Sequence, residues 1–107
     1  MTLTIEVRSK PGKVNELYQT LQALLPTMRK EKGCQACRVT RDVEDGELFF
    51  LSSEWDAPGG FDGYMRSGSG SALFGAIDLL GESARVWTDS DVGWEGIEIL
   101  RQIRKTS

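Results

Sequence analysis

The chain has 107 residues, 39% of them hydrophobic, and carries 13 basic against 16 acidic side chains, for a net charge of -3. This length is typical of one domain with its own hydrophobic core, so we expect a single domain over residues 1–107. The acidic balance disfavours nucleic-acid binding, which usually requires a basic surface. The chain contains no histidine, which excludes Ser-His-Asp and Cys-His nucleophile systems and histidine-ligated zinc, iron or haem.

The sequence carries neither a recognisable export signal nor a membrane span. Apolar and polar side chains alternate over residues 2–8, without the continuous apolar segment of a signal peptide. The longest run of large apolar side chains is residues 48–51, far too short to cross a bilayer. We therefore expect a cytoplasmic protein with no membrane partner.

The first third of the chain predicts a strand followed by a helix. The alternation over residues 2–8 is typical of a strand with one buried face. Apolar side chains then recur every three or four residues between positions 14 and 28, which predicts an amphipathic helix packed on a sheet. Pro26 is expected to kink this helix or to end it early, and Gly33 is expected to cap it. The apolar positions of the helix are Val14, Leu17, Tyr18, Leu21, Leu24, Leu25 and Met28.

Two further strands are predicted at residues 34–43 and 47–56. The residues between them, 44–46, end in Asp-Gly, a pair that favours a tight hairpin turn. The second strand is apolar at every position from 48 to 51, so both of its faces carry apolar side chains. Because a chain of this length has too few residues to cover the second face with its own helices, we expect a partner subunit to cover it, in a homodimer.

The second half predicts a helix beginning at Asp56, a flexible Ser/Gly break at residues 67–71, a short helix over residues 73–80 and a last strand at 83–89. The break is expected to be a lid or a simple connector. In the C-terminal extension, residues 91–107, apolar side chains three apart predict a short helix, although a strand also fits part of it. Those side chains are Trp94, Ile97, Leu100 and Ile103.

The predicted order is strand, helix, strand, strand, helix, strand and a tail. This order is the split β-α-β arrangement of ferredoxin-like folds, in the α+β class with an antiparallel sheet. Residues 2–90 form the predicted core. With a second apolar sheet face, two copies are expected to pack as a dimeric α+β barrel.

The Cys34–Cys37 segment matches a CxxC pattern, but it opens a strand and not a helix. Three steps along a strand separate the α-carbons by about 10 Å, whereas a disulfide requires less than about 7 Å. The odd spacing also predicts that the two side chains lie on opposite faces. Zinc would need two further ligands. Apolar packing is therefore favoured over redox or metal chemistry.

A resemblance to a known family rests on four segments in order. Lys-Pro-Gly-Lys at residues 10–13 opens the first helix, and Arg-Lys-Glu-Lys-Gly-Cys at 29–34 closes it. Ser-Glu-Trp at 53–55 ends the third strand, and Phe-Asp-Gly-Tyr-Met-Arg-Ser follows at 61–67. With these segments, over roughly residues 2–90, the sequence resembles an antibiotic biosynthesis monooxygenase domain. That family forms dimeric α+β barrels and includes quinol and anthrone oxygenases and some haem-degrading enzymes.

The resemblance implies a cofactor-independent monooxygenase or oxidase that uses molecular oxygen on a small electron-rich aromatic, such as a quinol or anthrone. No metal, flavin or haem cofactor is implied. Trp55 and Tyr64 are the predicted catalytic residues: the indole stacks on the substrate and offers an N–H donor, while the phenol orients a substrate oxygen. The residues predicted to bind the substrate are Phe49, Leu51, Phe61, Phe74 and Leu21.

The chain departs from the family at the position of Tyr64, where members commonly carry a histidine. Haem-degrading members also need an asparagine on the first strand, but the single asparagine here, Asn15, lies on the helix. Haem breakdown by that scheme is therefore disfavoured. Glu54, on the strand face opposite Trp55, is interpreted as an ion-pair partner of Arg38 or Arg85 and not as a catalytic group.

The sequence leaves a second interpretation open beside the enzyme. Trp55 and Tyr64 are also consistent with large core side chains that have no chemical role. The protein would then be a non-catalytic dimer that binds a small hydrophobic ligand, or an accessory protein of a pathway. Turnover that depends on both residues favours the enzyme, whereas binding alone favours the second interpretation.

Overall fold

The computed structural model describes residues 1–56, 58–89 and 93–100. Five strands form one antiparallel sheet in the order β2-β3-β1-β4-β5, and the first four strands have the order of a ferredoxin-like fold. The predicted α+β fold class is therefore confirmed. The elements are β1 (Thr2–Ser9), α1 (Val14–Arg29), β2 (Cys34–Arg41), β3 (Leu48–Trp55), α2 (Pro58–Arg66), α3 (Gly68–Leu80), β4 (Gly81–Thr88) and β5 (Trp94–Gly96).

The centre of the sheet is β1, whose alternating pattern decides which face is buried. Leu3, Ile5 and Val7 are at most 1% exposed, while the polar residues between them are partly exposed. Ile5 pairs with Leu51 on β3 and with Val86 on β4, so apolar side chains from three strands form one buried surface. The helices add Leu17, Leu21, Met28, Leu73 and Ile77 to this core.

Helix α1 continues past Pro26 to Arg29, so the expected early end is wrong. Pro26 lies close to the end of the helix, where its missing N–H removes only one backbone hydrogen bond. The C-cap is Lys30 and not Gly33. Gly33 has a φ of +89° and begins the turn into β2, where an added Cβ would lie 2.8 Å from Oδ1 of Asp56. Glycine is therefore required there for the turn and for the close approach.

The Ser/Gly segment at residues 67–71 is not a flexible break, and the lid and connector interpretations are both wrong. Only Ser67 separates α2 from α3, and its Oγ accepts a hydrogen bond from the Gly70 N–H at 3.1 Å as an N-cap. Gly70 is buried, and an added Cβ would meet the carbonyl oxygens of Tyr64 and Met65. A glycine at this position lets the second helix start directly against the end of the first.

Within the described part of the C-terminal extension, Trp94–Gly96 form a strand and not the predicted helix. Trp94 pairs with Trp87 across β4 and β5, and the Arg85 guanidinium lies 4.3 Å above the Trp94 ring. The predicted helix is therefore wrong at Trp94, because the exposed edge of β4 offers backbone partners there. Residues 98–100 are helical, and the rest of the predicted helix, including Ile103, lies outside the described residues.

The sheet face opposite the core is mixed in character. Phe50 and Trp87 lie there half-buried, which confirms that β3 carries large apolar side chains on both faces. Arg85 on this face forms its ion pair with Glu6, at 2.8 Å. The predicted ion pair between Arg85 and Glu54 is therefore wrong. Among the described helices, none is long and apolar enough to cross a membrane.

Candidate functional site

Three predicted site residues form one buried aromatic cluster between the end of β3 and α2. The Trp55 ring lies 5.8 Å from Phe61 and 5.8 Å from Tyr64, measured between ring centroids. All three side chains are at most 1% exposed. Trp55 is the last residue of β3 and α2 follows directly, so the short connection between strand and helix sets the arrangement. We call Trp55, Phe61 and Tyr64 the aromatic cluster.

The indole N–H of Trp55 already has a partner within the protein. Nε1 donates to Oγ of the buried Ser53 at 2.9 Å, so the expectation of a free N–H donor is wrong. The backbone of Trp55 is fixed by Met1, whose carbonyl accepts from the Trp55 N–H at 2.8 Å. The sequence-based interpretation missed Ser53, although its position two residues before Trp55 places it on the same strand face. Trp55 is therefore held in place both at its backbone and at its indole nitrogen.

The Tyr64 hydroxyl is the unusual polar group of the cluster. It is completely buried and has no hydrogen-bond partner among the described residues. Burial raises the pKa of Tyr64 above its ordinary value of 10.0, and the neighbouring Cys37, Glu31 and Cys34 raise it further. The phenol therefore stays protonated at neutral pH, so it is available as a hydrogen-bond donor and is a poor base. An unpaired buried hydroxyl costs about 1–3 kcal/mol, which a ligand oxygen would recover by accepting its hydrogen bond.

The remaining predicted substrate-binding residues lie in the core, but not all lie near the cluster. Leu21, Leu51 and Phe74 are 1%, 3% and 5% exposed. Phe49 is six residues from Trp55 along β3, about 20 Å away at the strand repeat. Its ring contacts Tyr18 at 6.3 Å and lies 5.4 Å below the Arg41 guanidinium. Phe49 therefore lies far from Trp55. Because the side chains of the aromatic cluster are buried, a ligand reaches them only if side chains move.

A β-bulge changes the placement of the two cysteines. Cys34 pairs with Trp55 and Ala36 with Glu54, so Gln35 is an extra residue on β2. This extra residue puts Cys34 and Cys37 on the same face, and the prediction of opposite faces is wrong. Both are free thiols, and Cys37 Sγ donates to Met28 Sδ at 3.3 Å. Across the described ranges, no group of three or more Cys, Asp or Glu side chains is arranged to hold a metal ion.

The Cys37 thiol makes the stability of the fold pH-dependent at alkaline pH. Burial raises its pKa from 9.0 to about 12. The unfolded chain loses this proton near pH 9.0 while the folded chain keeps it to about 12, so the free energy of unfolding falls as the pH rises through that window. We expect Cys37→Ala to flatten this decline in urea unfolding measured from about pH 8 to 11. Cys34→Ala, which removes the more exposed thiol, is the control, and equal slopes in the two variants would contradict the assignment.

Comparisons with known proteins agree with this architecture. A family model described as "Antibiotic biosynthesis monooxygenase" matches residues 1–72. The crystal structure of a Shewanella oneidensis protein superposes with a TM-score of 0.76 at 22% identity, covering 80% of this chain and 84% of that one. The crystal structure of an antibiotic biosynthesis monooxygenase gives 0.75 at 19% identity, covering 83% and 96%.

A Mycobacterium tuberculosis structure, Rv0793, gives a TM-score of 0.73 at 16% identity, covering 84% of this chain and 94% of that one. At these identities, the structural likeness supports the fold alone. No curated protein matches the sequence significantly.

Proposed function

Because the chain belongs to the antibiotic biosynthesis monooxygenase family, we propose that it oxidises a small electron-rich aromatic, such as a quinol or an anthrone, with molecular oxygen. Family membership supports a general monooxygenase role. The observation that supports the finer proposal is the aromatic cluster, where the Tyr64 ring lies 5.8 Å from the Trp55 ring and the buried Tyr64 hydroxyl has no hydrogen-bond partner among the described residues. We further propose that the reaction needs no metal, flavin or haem.

The reaction balances without an external reductant. An anthrone loses one proton from its CH₂ group, and the carbanion passes one electron to O₂. The radical pair then recombines into a C–O bond, giving a peroxide that takes up a proton. Loss of water across the O–O bond leaves a carbonyl in place of the CH₂ group. One oxygen atom ends in the product and the other in water, and the substrate supplies all the electrons.

The residues of the cluster contribute positioning, hydrogen bonding and exclusion of water. The Trp55 ring, fixed through Ser53, stacks on the flat substrate. The Tyr64 hydroxyl donates to the ionised substrate oxygen, which stabilises the anion that reacts with oxygen. Tyr64 does not remove the proton, since burial raises its pKa. The substrate must therefore be acidic enough to ionise without a strong base, as quinols and anthrones are.

Oxygen uptake by metal-stripped protein tests this proposal. We expect uptake above autoxidation with at least one member of a panel of quinols and anthrones, and a decrease of about tenfold or more in Trp55→Phe, because the stacking surface shrinks and shifts. Trp94→Phe is the matched control, since Trp94 is 40% exposed on β5. Uptake that survives unchanged in Trp55→Phe would place the reaction elsewhere, and no uptake across the panel would contradict the proposed function.

One observation favours a second candidate, a ligand-binding protein without turnover. The aromatic cluster is closed, and its one titratable side chain is a phenol whose raised pKa makes it a poor base. Such a site can hold an aromatic ligand without activating it. Quenching of tryptophan fluorescence by the same quinols, with no oxygen uptake, would favour this function.

We also propose that two copies pack through the sheet face that carries Phe50 and Trp87. Both side chains are half-buried in one chain, and a second copy would bury them. Phe50→Asp is expected to shift the mass in light scattering from dimer to monomer, because a carboxylate would be buried in the interface. Val43→Asp, at a fully exposed loop position, should remain dimeric. A wild-type monomer at micromolar concentration would contradict this proposal.

A further inference from the structure

Three sulfur-containing side chains lie where the last turn of α1 packs on the start of β2. The Cys37 thiol contacts the thioether of Met28, with 3.3 Å between Sγ and Sδ. Cys37 and Met28 are 6% and 1% exposed, whereas Cys34 is partly exposed. We call Met28, Cys34 and Cys37 the sulfur triad.

The β-bulge places the two cysteines on one face of β2, two pairing positions apart. Cys34 pairs with Trp55, and Cys37 pairs with Ser53. The Trp55 and Ser53 side chains share a face, since the indole N–H donates to the Ser53 hydroxyl. Cys34 and Cys37 therefore lie on that face as well, with about 7 Å between their α-carbons. Cys34 is also one of the groups that act electrostatically on the Cys37 thiol, as neighbouring thiols do.

This spacing suits a shared metal ion better than a disulfide. A disulfide joins its sulfur atoms at about 2 Å, and its α-carbons are usually about 5.5–6 Å apart. Two thiolates bound to one metal ion can be up to about 4.6 Å apart, at about 2.3 Å per bond. The Cys34 thiol makes a weak 3.6 Å contact with the Ala36 carbonyl, and thiols are weak donors that give up such a contact at little cost. Rotation of the Cys34 side chain can then bring its sulfur towards Cys37.

The ligand set is typical of a soft metal ion. Zinc takes four ligands, and no third Cys, Asp or Glu joins the two cysteines in a metal-binding group within residues 1–56, 58–89 and 93–100. Thiolates and thioethers together select Cu(I) among the common metal ions. The Met28 thioether supplies the third sulfur. Because it comes from α1, it is not part of the CxxC pattern.

Access and charge also fit such an ion. Cys34, Cys37 and Arg29 line a depression of about 320 Å³ at β2, an edge strand of the sheet, which gives a path from solvent. Two thiolates and one Cu(I) carry a net negative charge, and the guanidinium of Arg29 is held beside them because its Nε donates to the Cys37 carbonyl at 3.0 Å. Burial raises the pKa of both thiols, and Arg29 acts in the opposite direction. Arg29 therefore favours the thiolates that a metal ion requires.

We propose that the sulfur triad binds one Cu(I) ion through the Met28 thioether and the thiolates of Cys34 and Cys37. Binding releases the two thiol protons to solvent, and no electron is transferred. Apolar packing was favoured from the sequence partly because the two cysteines were expected on opposite faces, and the bulge removes that reason. The site is separate from the proposed oxidation, which uses neither cysteine and needs no metal.

The test adds Cu(I), as its acetonitrile complex and without oxygen, to reduced, metal-free protein in competition with the coloured chelator bathocuproine disulfonate. We expect the wild-type chain to withdraw one Cu(I) from the chelator. Met28→Leu conserves the side-chain volume but removes the sulfur, so the affinity should fall by at least about tenfold, as it does when even an indirect partner of a metal is lost. Cys34→Ser should lose at least as much. Met65→Leu, the same change at the other buried methionine, is the control and should bind Cu(I) as the wild type does.

X-ray absorption at the copper edge gives a second measurement, with one sulfur ligand fewer in Met28→Leu than in the wild type. Three results would overturn the inference: no withdrawal of Cu(I) by the wild type, equal affinities of Met28→Leu and Met65→Leu, or wild-type affinity in Cys34→Ser. Cys34 is partly exposed, so its replacement should leave the fold intact, which the circular dichroism spectrum verifies. Oxygen uptake is measured on metal-free protein, so its failure would contradict the proposed oxidation and leave this site standing.

Discussion

Replacing Tyr64 with phenylalanine is expected to change stability and activity in opposite directions. The variant removes a buried hydroxyl that has no partner in the described part of the chain, so the free energy of unfolding should rise by about 1 kcal/mol. Oxygen uptake should fall by about tenfold, because the substrate oxygen loses one hydrogen-bond donor. Urea unfolding and uptake on the same preparation measure both effects.

Tyr18→Phe is the matched control for this prediction. Tyr18 is 39% exposed on α1, and its hydroxyl accepts from Gln22 Nε2 at 3.0 Å. Its loss should change stability by no more than about 0.5 kcal/mol, as exposed substitutions usually do, and should leave uptake unchanged. A decrease in both stability and uptake for Tyr64→Phe would show that the hydroxyl has a partner in the folded protein, and would remove it as the substrate's donor.

Among the described helical glycines, Gly70 is expected to give the largest loss of stability when it is replaced with alanine. An added Cβ would lie 2.8 Å from the Met65 carbonyl oxygen and would also meet that of Tyr64, and backbone oxygens cannot rotate away. We expect the free energy of unfolding to fall by about 3 kcal/mol, as forced overpacking does. The junction of α2 and α3 must open to relieve the contact, so the aromatic cluster shifts and uptake falls as well.

The same substitution at Gly75, in the same helix, is the control. Nothing lies within 4 Å of an added Cβ at Gly75, so Gly75→Ala should stabilise by about 0.5–1 kcal/mol through helix propensity. Thermal unfolding of both variants by circular dichroism measures the contrast. A Gly70→Ala variant as stable as the wild type would contradict the tight packing of α3 on the end of α2.

Local periodicity was sufficient to predict the central part of the fold. In β1 every second side chain packs on the core, and in α1 every third or fourth side chain does. These spacings are visible in the sequence, so both elements could be predicted from it. The strand order followed from the order of the elements. The two-faced character of β3 was also readable, because Phe49 and Phe50 are adjacent and must point to opposite faces.

The features that could not be predicted depend on contacts between distant residues. The Ser/Gly segment has the composition of a loop, but it forms the start of α3, with Ser67 as the N-cap and Gly70 packed closely on the end of α2. The bulge at Gln35 depends on the partner strand, and it reverses the face of Cys34. Trp94 fits a helical spacing equally well, and the free edge of β4 decides in favour of a strand.

The proximity of Trp55 and Tyr64 was predictable from the sequence, but the hydrogen bonding around them was not. Trp55 and Tyr64 were predicted together and lie together, because a strand that leads directly into a helix keeps them close. Two features were visible only in the structure. The indole N–H of Trp55 donates to Ser53, and the Tyr64 hydroxyl has no partner among the described residues. The same is true of the separation of Phe49 from the cluster, since a shared strand face does not imply proximity along the strand.

The most direct test of the proposed oxidation is turnover of an anthrone under oxygen-18 gas, with metal-stripped wild-type protein and a protein-free control. We expect one labelled oxygen atom in the new carbonyl and the other in water, formed faster than in the control. We expect labelling to slow in Tyr64→Phe and to continue unchanged in Tyr18→Phe. Labelling no faster than the protein-free reaction, or consumption of oxygen with hydrogen peroxide released and no label in the product, would contradict a monooxygenase at the aromatic cluster.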